Sequence, residues 1–435
     1  MTIRTGGITS AIPHPPPPSI PPPNPAQSCQ SKRRFLLYSH DGEGLGHIRR
    51  NAAIANAIYE LAPDAVVLLV CGTDQVHRLA IPPNAGVLKL PGLRKVANER
   101  YEGRHLRIPQ PDMWDLRSSL LTAAVKSFRP DVVLADKHPL GVTGELRPAL
   151  DRHRKMGGRT ALGLRDILDE RATVLREWAH YDLHERIGEY YDRVLVYGNQ
   201  DVFDPIREYD FPAPLAEKTR FCGYVVTRHT LAVDVAKHLV KLVKHETRPL
   251  VLATAGGGDD GYSLLRTFIE AARGQAWDGI AITGPLARDG DLASLKQMAE
   301  EAGVALQTFV ADLPQWFAVS DALVCMGGYN TLAEVVLTAT PAVCVPRVLP
   351  RTEQHIRASA FARLGLVRLI EPSEFGVKRL RQEIGNSLTL GRPALGGHAE
   401  TVIELNGATQ AAIQLLELAE ADPVCQRAQE IRIES

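Results

Sequence analysis

Apolar positions along the chain fall into short runs separated by longer amphipathic stretches. Runs at 35–39, 66–71, 132–135, 160–164, 194–197 and 221–225 are rich in Val, Leu and Phe. Runs of this length, bounded by polar residues or glycine, predict buried strands. Between them, 48–61, 116–128 and 144–153 carry apolar residues at helical spacing. After Arg248-Pro249 the rhythm begins again, with strands expected at 250–254, 280–283, 306–310, 322–326, 342–345 and 367–370. Strands alternating with helices predict parallel sheets covered on both faces. Two sets of about six strands are too many for one compact sheet with short connections. The pattern therefore predicts an α/β protein of two doubly wound, Rossmann-like domains facing a cleft. The charged, amphipathic segment 226–247 reads as the join. We expect a first domain over 32–228 and a second over 229–435, whose last helices can return to the first.

Composition adjusts this picture at the N-terminus. Residues 13–25 read PHPPPPSIPPPNP, nine of the chain's 30 prolines. Proline fixes φ and removes an amide donor, so residues 1–31 are expected to be an extended, solvated tail. The tail is either simply disordered or a ligand for a proline-binding module. Across all 435 residues, 50 Lys plus Arg balance 50 Asp plus Glu, so net charge draws the chain to no nucleic acid. No apolar run approaches the ~18 residues of a membrane span, and the N-terminal stretch lacks a secretory apolar segment. A cytoplasmic protein is expected. The six cysteines, at 29, 71, 222, 325, 344 and 425, form no CxxC pair. They read as small buried hydrophobes, and neither a disulfide framework nor a zinc site is expected.

In open α/β sheets ligands bind at the carboxyl ends of strands, so chemistry is sought in the loops there. The first such loop reads His40-Asp-Gly-Glu-Gly-Leu-Gly-His47 and opens a helix. Gly42, Gly44 and Gly46 let the backbone turn sharply and approach a bound group. The dinucleotide fingerprint would need glycine at 47 and an acidic residue where Cys71 and Gly72 stand, and the Walker lysine is absent. His47, at the positive end of a helix dipole, would stay neutral and could take a proton from a hydroxyl. The alternative is a histidine that only hydrogen-bonds the turn. The second loop, Ala255-Gly-Gly-Gly-Asp-Asp-Gly261, offers Gly256, Gly257 and Gly258 as an anion-binding turn, or is a flexible linker. The third, Met326-Gly-Gly-Tyr-Asn-Thr331, opens a helix with Leu332, Val335, Val336 and Ala339 on its buried face. Glu334 on that helix could reach a ligand, or could close a capping box with Thr331. Glu353 and Gln354 begin a further helix, as ligand contacts or as a polar first turn.

The stretch 309–354, FVADLPQWFAVSDALVCMGGYNTLAEVVLTATPAVCVPRVLPRTEQ, carries a resemblance. It is similar to the donor-binding region of GT-B glycosyltransferases. The nearest likeness is to the family 28 enzymes that add N-acetylglucosamine to the lipid-linked peptidoglycan precursor. The glycine-rich turn ending in His47, with Gly44 and Gly46, resembles that family's amino-terminal turn. Asp136-Lys-His138-Pro-Leu resembles an acceptor-facing loop of lipid-galactosylating relatives. The resemblance implies that Glu334 holds the ribose of a nucleotide sugar, with a uridine diphosphate sugar as first choice. It implies that Gly327, Gly328, Asn330 and Thr331, with Gly256 to Gly258, surround the diphosphate. Backbone at Phe309 and Val310 would meet the base, Glu353 and Gln354 the donor sugar, and His47, Asp136 and His138 the acceptor. Inverting transfer without metal or other cofactor is then expected, to a hydroxyl on a lipid or polysaccharide. Arg49, Arg50, Arg94, Lys95, Arg100, Arg104 and Arg107 form a local basic stretch: a solvated surface, or a contact to an anionic acceptor or to a membrane periphery. A nucleotide-sugar 2-epimerase or hydrolase, or a binding protein without turnover, are the rival readings.

Overall fold

The computed structural model describes residues 32–40, 46–97, 100–227, 242, 245, 247–257, 260–310 and 312–420. The tail 1–31, Gly44, Gly258 and most of the join 226–247 lie outside the described residues.

The chain from β1 (Arg34–Ser39) runs through α1 (Gly46–Leu61), β2 (Val66–Cys71) and β3 (Ala85–Lys89). An antiparallel pair, β4 (Leu93–Ala97) and β5 (Arg100–Gly103), then precedes α2 (Gln110–Phe128) and β6 (Val132–Asp136). There follow α3 (Arg147–Lys155), β7 (Arg159–Arg165), α4 (Arg171–His180), α5 (Leu183–Tyr190), β8 (Arg193–Tyr197) and β9 (Thr219–Phe221). Seven of these strands form a parallel sheet in the order β3-β2-β1-β6-β7-β8-β9. Its central strands are buried on both faces, as parallel strands under helices must be: Phe35, Leu36, Leu37 and Tyr38 are at most 1% exposed.

The second half repeats the plan. It comprises β10 (Leu250–Thr254), α6 (Tyr262–Ala272), β11 (Asp278–Ile282), α7 (Asp289–Ala302), β12 (Ala305–Gln307), α8 (Leu313–Val319) and β13 (Ala322–Cys325). Then come α9 (Tyr329–Leu337), β14 (Ala342–Cys344), α10 (Glu353–Arg363), β15 (Arg368–Leu369), α11 (Val377–Val402) and α12 (Gly407–Glu420). Six parallel strands are ordered β12-β11-β10-β13-β14-β15. In each sheet the order reverses direction beside the first strand, between β1 and β6 and between β10 and β13. Those two crevices are where a ligand is expected.

The last helix, α12, packs on α1 of the first half. Arg193 Nη1 donates to Gln414 Oε1 at 2.8 Å and to Glu417 Oε2 at 2.9 Å, fixing the helix beside β8. One apolar cluster joins Phe35, Ile54 and Ile58 through Tyr224 and Tyr329 to Leu323 and Phe361, and takes in Ala411 and Leu415 of α12.

The pattern misplaces several boundaries. The run 221–225 is not a strand beyond Phe221, because the Tyr224 amide turns to the Glu404 carbonyl at 2.8 Å and leaves the sheet. β12 stops at Gln307, short of Phe309 and Val310. Helix α9 ends at Leu337, and Ala339, with φ of 49°, lies outside it and is only half-buried. Cys71, Cys222, Cys325 and Cys344 are buried and form no disulfide.

Candidate active site

The first crevice is built around a carboxylate. Asp136 ends β6 directly beside Ser39 of β1 and is fully buried. Arg50 Nη2 donates to both of its oxygens, at 2.9 and 2.6 Å. His47 Nδ1 lies 2.9 Å from Asp136 Oδ2. Positions 47 and 50 are three apart on α1, so both side chains leave one face of the helix toward β6. The Arg50 guanidinium also sits 5.0 Å from the Tyr197 ring centroid and 5.5 Å from that of Tyr329. His47 Nδ1 also lies 2.9 Å from Arg50 Nη2, which can only donate. The tautomer with its proton on Nδ1 donates to Asp136 and leaves the Nε2 lone pair available, and the one with its proton on Nε2 accepts from Arg50. Burial is the main cause that holds His47 well below the ordinary histidine pKa, followed by the charges of Arg50, Arg165, Lys137 and His138. The helix dipole and the burial of the ring act in the same direction, toward a neutral imidazole. Burial also raises Asp136, against the pull of Arg50.

His47 has two imidazole neighbours in this crevice. The His40 ring lies 4.4 Å from that of His47 and 4.3 Å from that of His138. Burial, then the charges of His138 and His47, lower the His40 pKa as well. His47 keeps an edge exposed, 16% of its side chain, and His138 is also partly exposed, while His40 is buried.

The second crevice holds the glycine-rich loops. Gly256 adopts φ of 65° and stands, with Gly257, exposed after β10. A Cβ on Gly284 would lie 2.4 Å from the Gly256 carbonyl, so glycine there lets the two loops stack. A Cβ on Gly327 would lie 2.4 Å from the Gln354 carbonyl, which seats the turn against the start of α10. Gly328 is the N-cap of α9, and no side chain caps that helix. Thr331 lies inside the first turn instead of before it, so the capping-box alternative for Thr331 and Glu334 falls. The uncapped start, containing Asn330 and Thr331, keeps the anion-attracting end of the helix turned to the cleft.

The two crevices meet. A Cβ on Gly46, the first residue of α1, would come within 3.3 Å of Asn330 Nδ2. Arg49 Nη2 donates to Glu334 Oε1 at 2.5 Å, and Glu334 is buried. Arg357, fully buried on α10, donates to Asp166 Oδ1 at 3.1 Å after β7. Asp169 Oδ1 accepts from the Thr352 amide at 2.9 Å, and Asp169 Oδ2 from Arg351 at 3.2 Å. Glu353 Oε1 accepts from Arg347 at 2.8 Å, while Arg347 also reaches Asp260 of the second loop at 2.9 Å. The buried Glu353 Oε2 has no hydrogen-bond partner. Gln354 Oε1 sits 3.5 Å from the Arg347 amide.

His47, Asp136, His138 and Gly46 thus gather on one wall, and Gly327, Gly328, Asn330, Thr331, Glu334, Glu353 and Gln354 on the other. Phe309, 39% exposed, and Val310 follow the edge strand β12, which β11 and β10 separate from β13. Sequence reasoning passed over His40, Arg165, Asp166, Asp169, Arg347 and Arg357. The signal was available for His40, Arg165 and Asp166, which end a strand or directly follow one.

Two Rossmann-like halves whose switch points face one another make the fold that of the GT-B glycosyltransferases. The chain aligns over 89% of its length with all of MurG from Acinetobacter baumannii, at a TM-score of 0.57 and 14% identity. In sequence it resembles the enzymes named UDP-N-acetylglucosamine–N-acetylmuramyl-(pentapeptide) pyrophosphoryl-undecaprenol N-acetylglucosamine transferase. The homologue of Desulfotalea psychrophila is 26% identical over 366 residues, 82% of this chain and 88% of that enzyme. That of Corynebacterium efficiens is 29% identical over 164 residues, 37% of this chain and 44% of that enzyme. No protein-family model matches the chain.

Proposed function

We propose that the protein is a glycosyltransferase that moves a sugar from a nucleotide-sugar donor, a uridine diphosphate sugar, to an acceptor hydroxyl. The observation that carries this reading is the meeting of the two walls, Gly46 against Asn330 and Arg49 against Glu334. It sets a neutral, oriented imidazole opposite an uncapped helix start that carries a buried carboxylate. In the proposed reaction the acceptor hydroxyl gives its proton to His47 Nε2 as its oxygen attacks the anomeric carbon. Asp136 keeps the ring oriented and stabilises the imidazolium that forms. The bond to the nucleoside diphosphate breaks in the same displacement, so the configuration inverts. Amides at the starts of α6 and α9 take up the leaving charge, and the scheme uses neither metal nor cofactor. Glu334 holds the ribose hydroxyls through its paired acceptors, and Glu353 and Gln354 meet the sugar.

The homologues' name specifies a lipid-linked acceptor, and we extend that kind of acceptor, a hydroxyl on an amphiphilic carrier, to this chain. Among the described residues no helix is long and apolar enough to cross a membrane. Contact with the carrier would then be made from the membrane periphery. Incubating the protein with each UDP-sugar, with and without extracted lipid, tests the proposal. Product that requires the lipid is expected. Free sugar or an epimerised donor in the absence of lipid would instead identify a hydrolase or a 2-epimerase.

A further inference from the structure

Among the described residues, the arginines that line the cleft are matched to carboxylates with one exception. Arg49 has Glu334, Arg50 has Asp136, Arg347 has Asp260 and Glu353, Arg351 has Asp169 and Glu177, and Arg357 has Asp166. Arg165, the last residue of β7, is half-buried, and its Nε is shut off from water without a hydrogen-bond partner. Among the described residues no carboxylate or carbonyl bonds to its guanidinium.

Its surroundings make this arrangement costly. Burial and the like charges of Arg50 and Arg357 pull its pKa down to about 10, against the weaker support of Asp136 and Glu353. It is still a cation at neutral pH. A half-buried guanidinium with its Nε shut off from water, set close to other guanidinium groups, destabilises the fold, and such strain persists where function requires it. The position is equally specific. Arg165 pairs in register with Tyr197 of β8, two residues beyond Gly163, which pairs with Asp136. Its charge acts on His47 and Asp136, and Glu353 in turn supports its own charge.

We propose that Arg165 seats an anionic group of the substrate, a phosphate or a carboxylate, at the carboxyl end of β7. The proposal rests on the reading of this cleft as a sugar-transfer site. The donor's own diphosphate is assigned to the starts of α6 and α9, so the anion at Arg165 is a further one. Two parts of the substrates could bring it: a uronate carboxylate on the donor sugar, or a phosphate on the acceptor's carrier. A guanidinium fork matches either group with two parallel hydrogen bonds.

Calorimetry on the full chain distinguishes the sources, using wild type, Arg165→Gln and Arg165→Lys. UDP-glucuronate is compared with UDP-glucose, and farnesyl phosphate with farnesol at saturating UDP. In one of the two pairs the anionic member should bind wild type at least about tenfold more tightly than its neutral counterpart, the size of one charge-assisted hydrogen bond. That margin should vanish in Arg165→Gln and return in part in Arg165→Lys, while UDP binds all three alike. The Gln variant should also melt at a higher temperature than wild type, because like-charge repulsion is removed. The proposal is overturned if neither pair shows a margin, if the margin survives in Arg165→Gln, or if that variant melts lower. Failure of UDP to bind any of the three would instead bring down the sugar-transfer reading on which it rests.

Discussion

The carboxylate assigned to the ribose already has a partner. Glu334, with 6% of its side chain exposed, is joined at 2.5 Å to Arg49, whose side chain is 29% exposed. A nucleotide that uses Glu334 must displace that guanidinium into water, so the two residues should act on nucleotide affinity with opposite sign. Glu334→Ala removes hydrogen bonds to a charged group, about 1.5–3 kcal/mol or roughly 10- to 150-fold in UDP affinity. Arg49→Ala removes the competitor. A partly exposed ion pair contributes about 0.5–1 kcal/mol, so UDP should bind roughly two- to fivefold more tightly. The same variant takes the Arg49 charge away from the buried Glu334 carboxylate. Its melting temperature should fall, and saturating UDP should raise it by more than it raises that of wild type. The double variant should match Glu334→Ala to within about twofold, since Arg49 has nothing left to compete for. Titration calorimetry reads all four proteins. If Arg49→Ala weakens UDP binding, Arg49 is a ligand contact and not a competitor. If a folded Glu334→Ala binds UDP like wild type, the carboxylate only holds the two walls together.

Other expectations follow from the first wall. His47→Ala should lower turnover by ~10²–10⁴-fold with donor affinity little changed, and His47→Gln, which cannot take a proton, should not rescue it. Restoration by glutamine in a steady-state assay would make His47 an orienting residue. Asp136→Asn should cost about 3–5 kcal/mol in urea unfolding, because Arg50 is left buried without its counter-charge. A loss below about 1 kcal/mol would mean that water reaches Arg50 freely. Burial holds both His40 and His47 below the ordinary histidine pKa. Below about pH 6.5 the unfolded chain therefore binds protons that the folded one refuses, and stability should fall with pH by up to about 2.7 kcal/mol per unit for the pair. Urea unfolding of His47→Gln between pH 7 and 5 should show a shallower fall, and an unchanged slope would remove His47 from this balance. Deleting residues 1–31 should leave the melting temperature and turnover unaltered, and a large drop in either would mean that the tail docks.

The central strands were readable because parallel strands buried on both faces are continuous apolar runs. β2 at 66–71 and β10 at 250–254 have the bounds expected from pattern alone. The edges were not readable. Ala85–Lys89 has Gly86 and Val87 exposed, and β4 and β5 carry Arg94 and Glu102 paired across them at 3.5 Å, so neither shows an apolar run. Their pairing comes from neighbours distant in sequence, not from local composition. The loops of the site could be located from glycine spacing and strand ends, since Gly327 and Gly284 answer to contacts that admit no Cβ. Which residues pair across the cleft could not be read. Arg49 and Glu334 are 285 positions apart, Arg357 and Asp166 are 191 apart, and no local rule links them. Asp136 illustrates the limit: the resemblance of its loop marked it as an acceptor-side residue, but only the structure turns it toward His47 and Arg50.

A crystal structure of the full chain with UDP bears most directly on the central claim, that the nucleotide lies on the second wall facing His47. The account predicts diphosphate density against the amides that follow Gly328 and beside Gly256 and Gly257. It also predicts both ribose hydroxyls on Glu334, and Arg49 swung away from its present 2.5 Å contact. UDP bound on the His40–His47 turn, with Glu334 still held by Arg49, would contradict it.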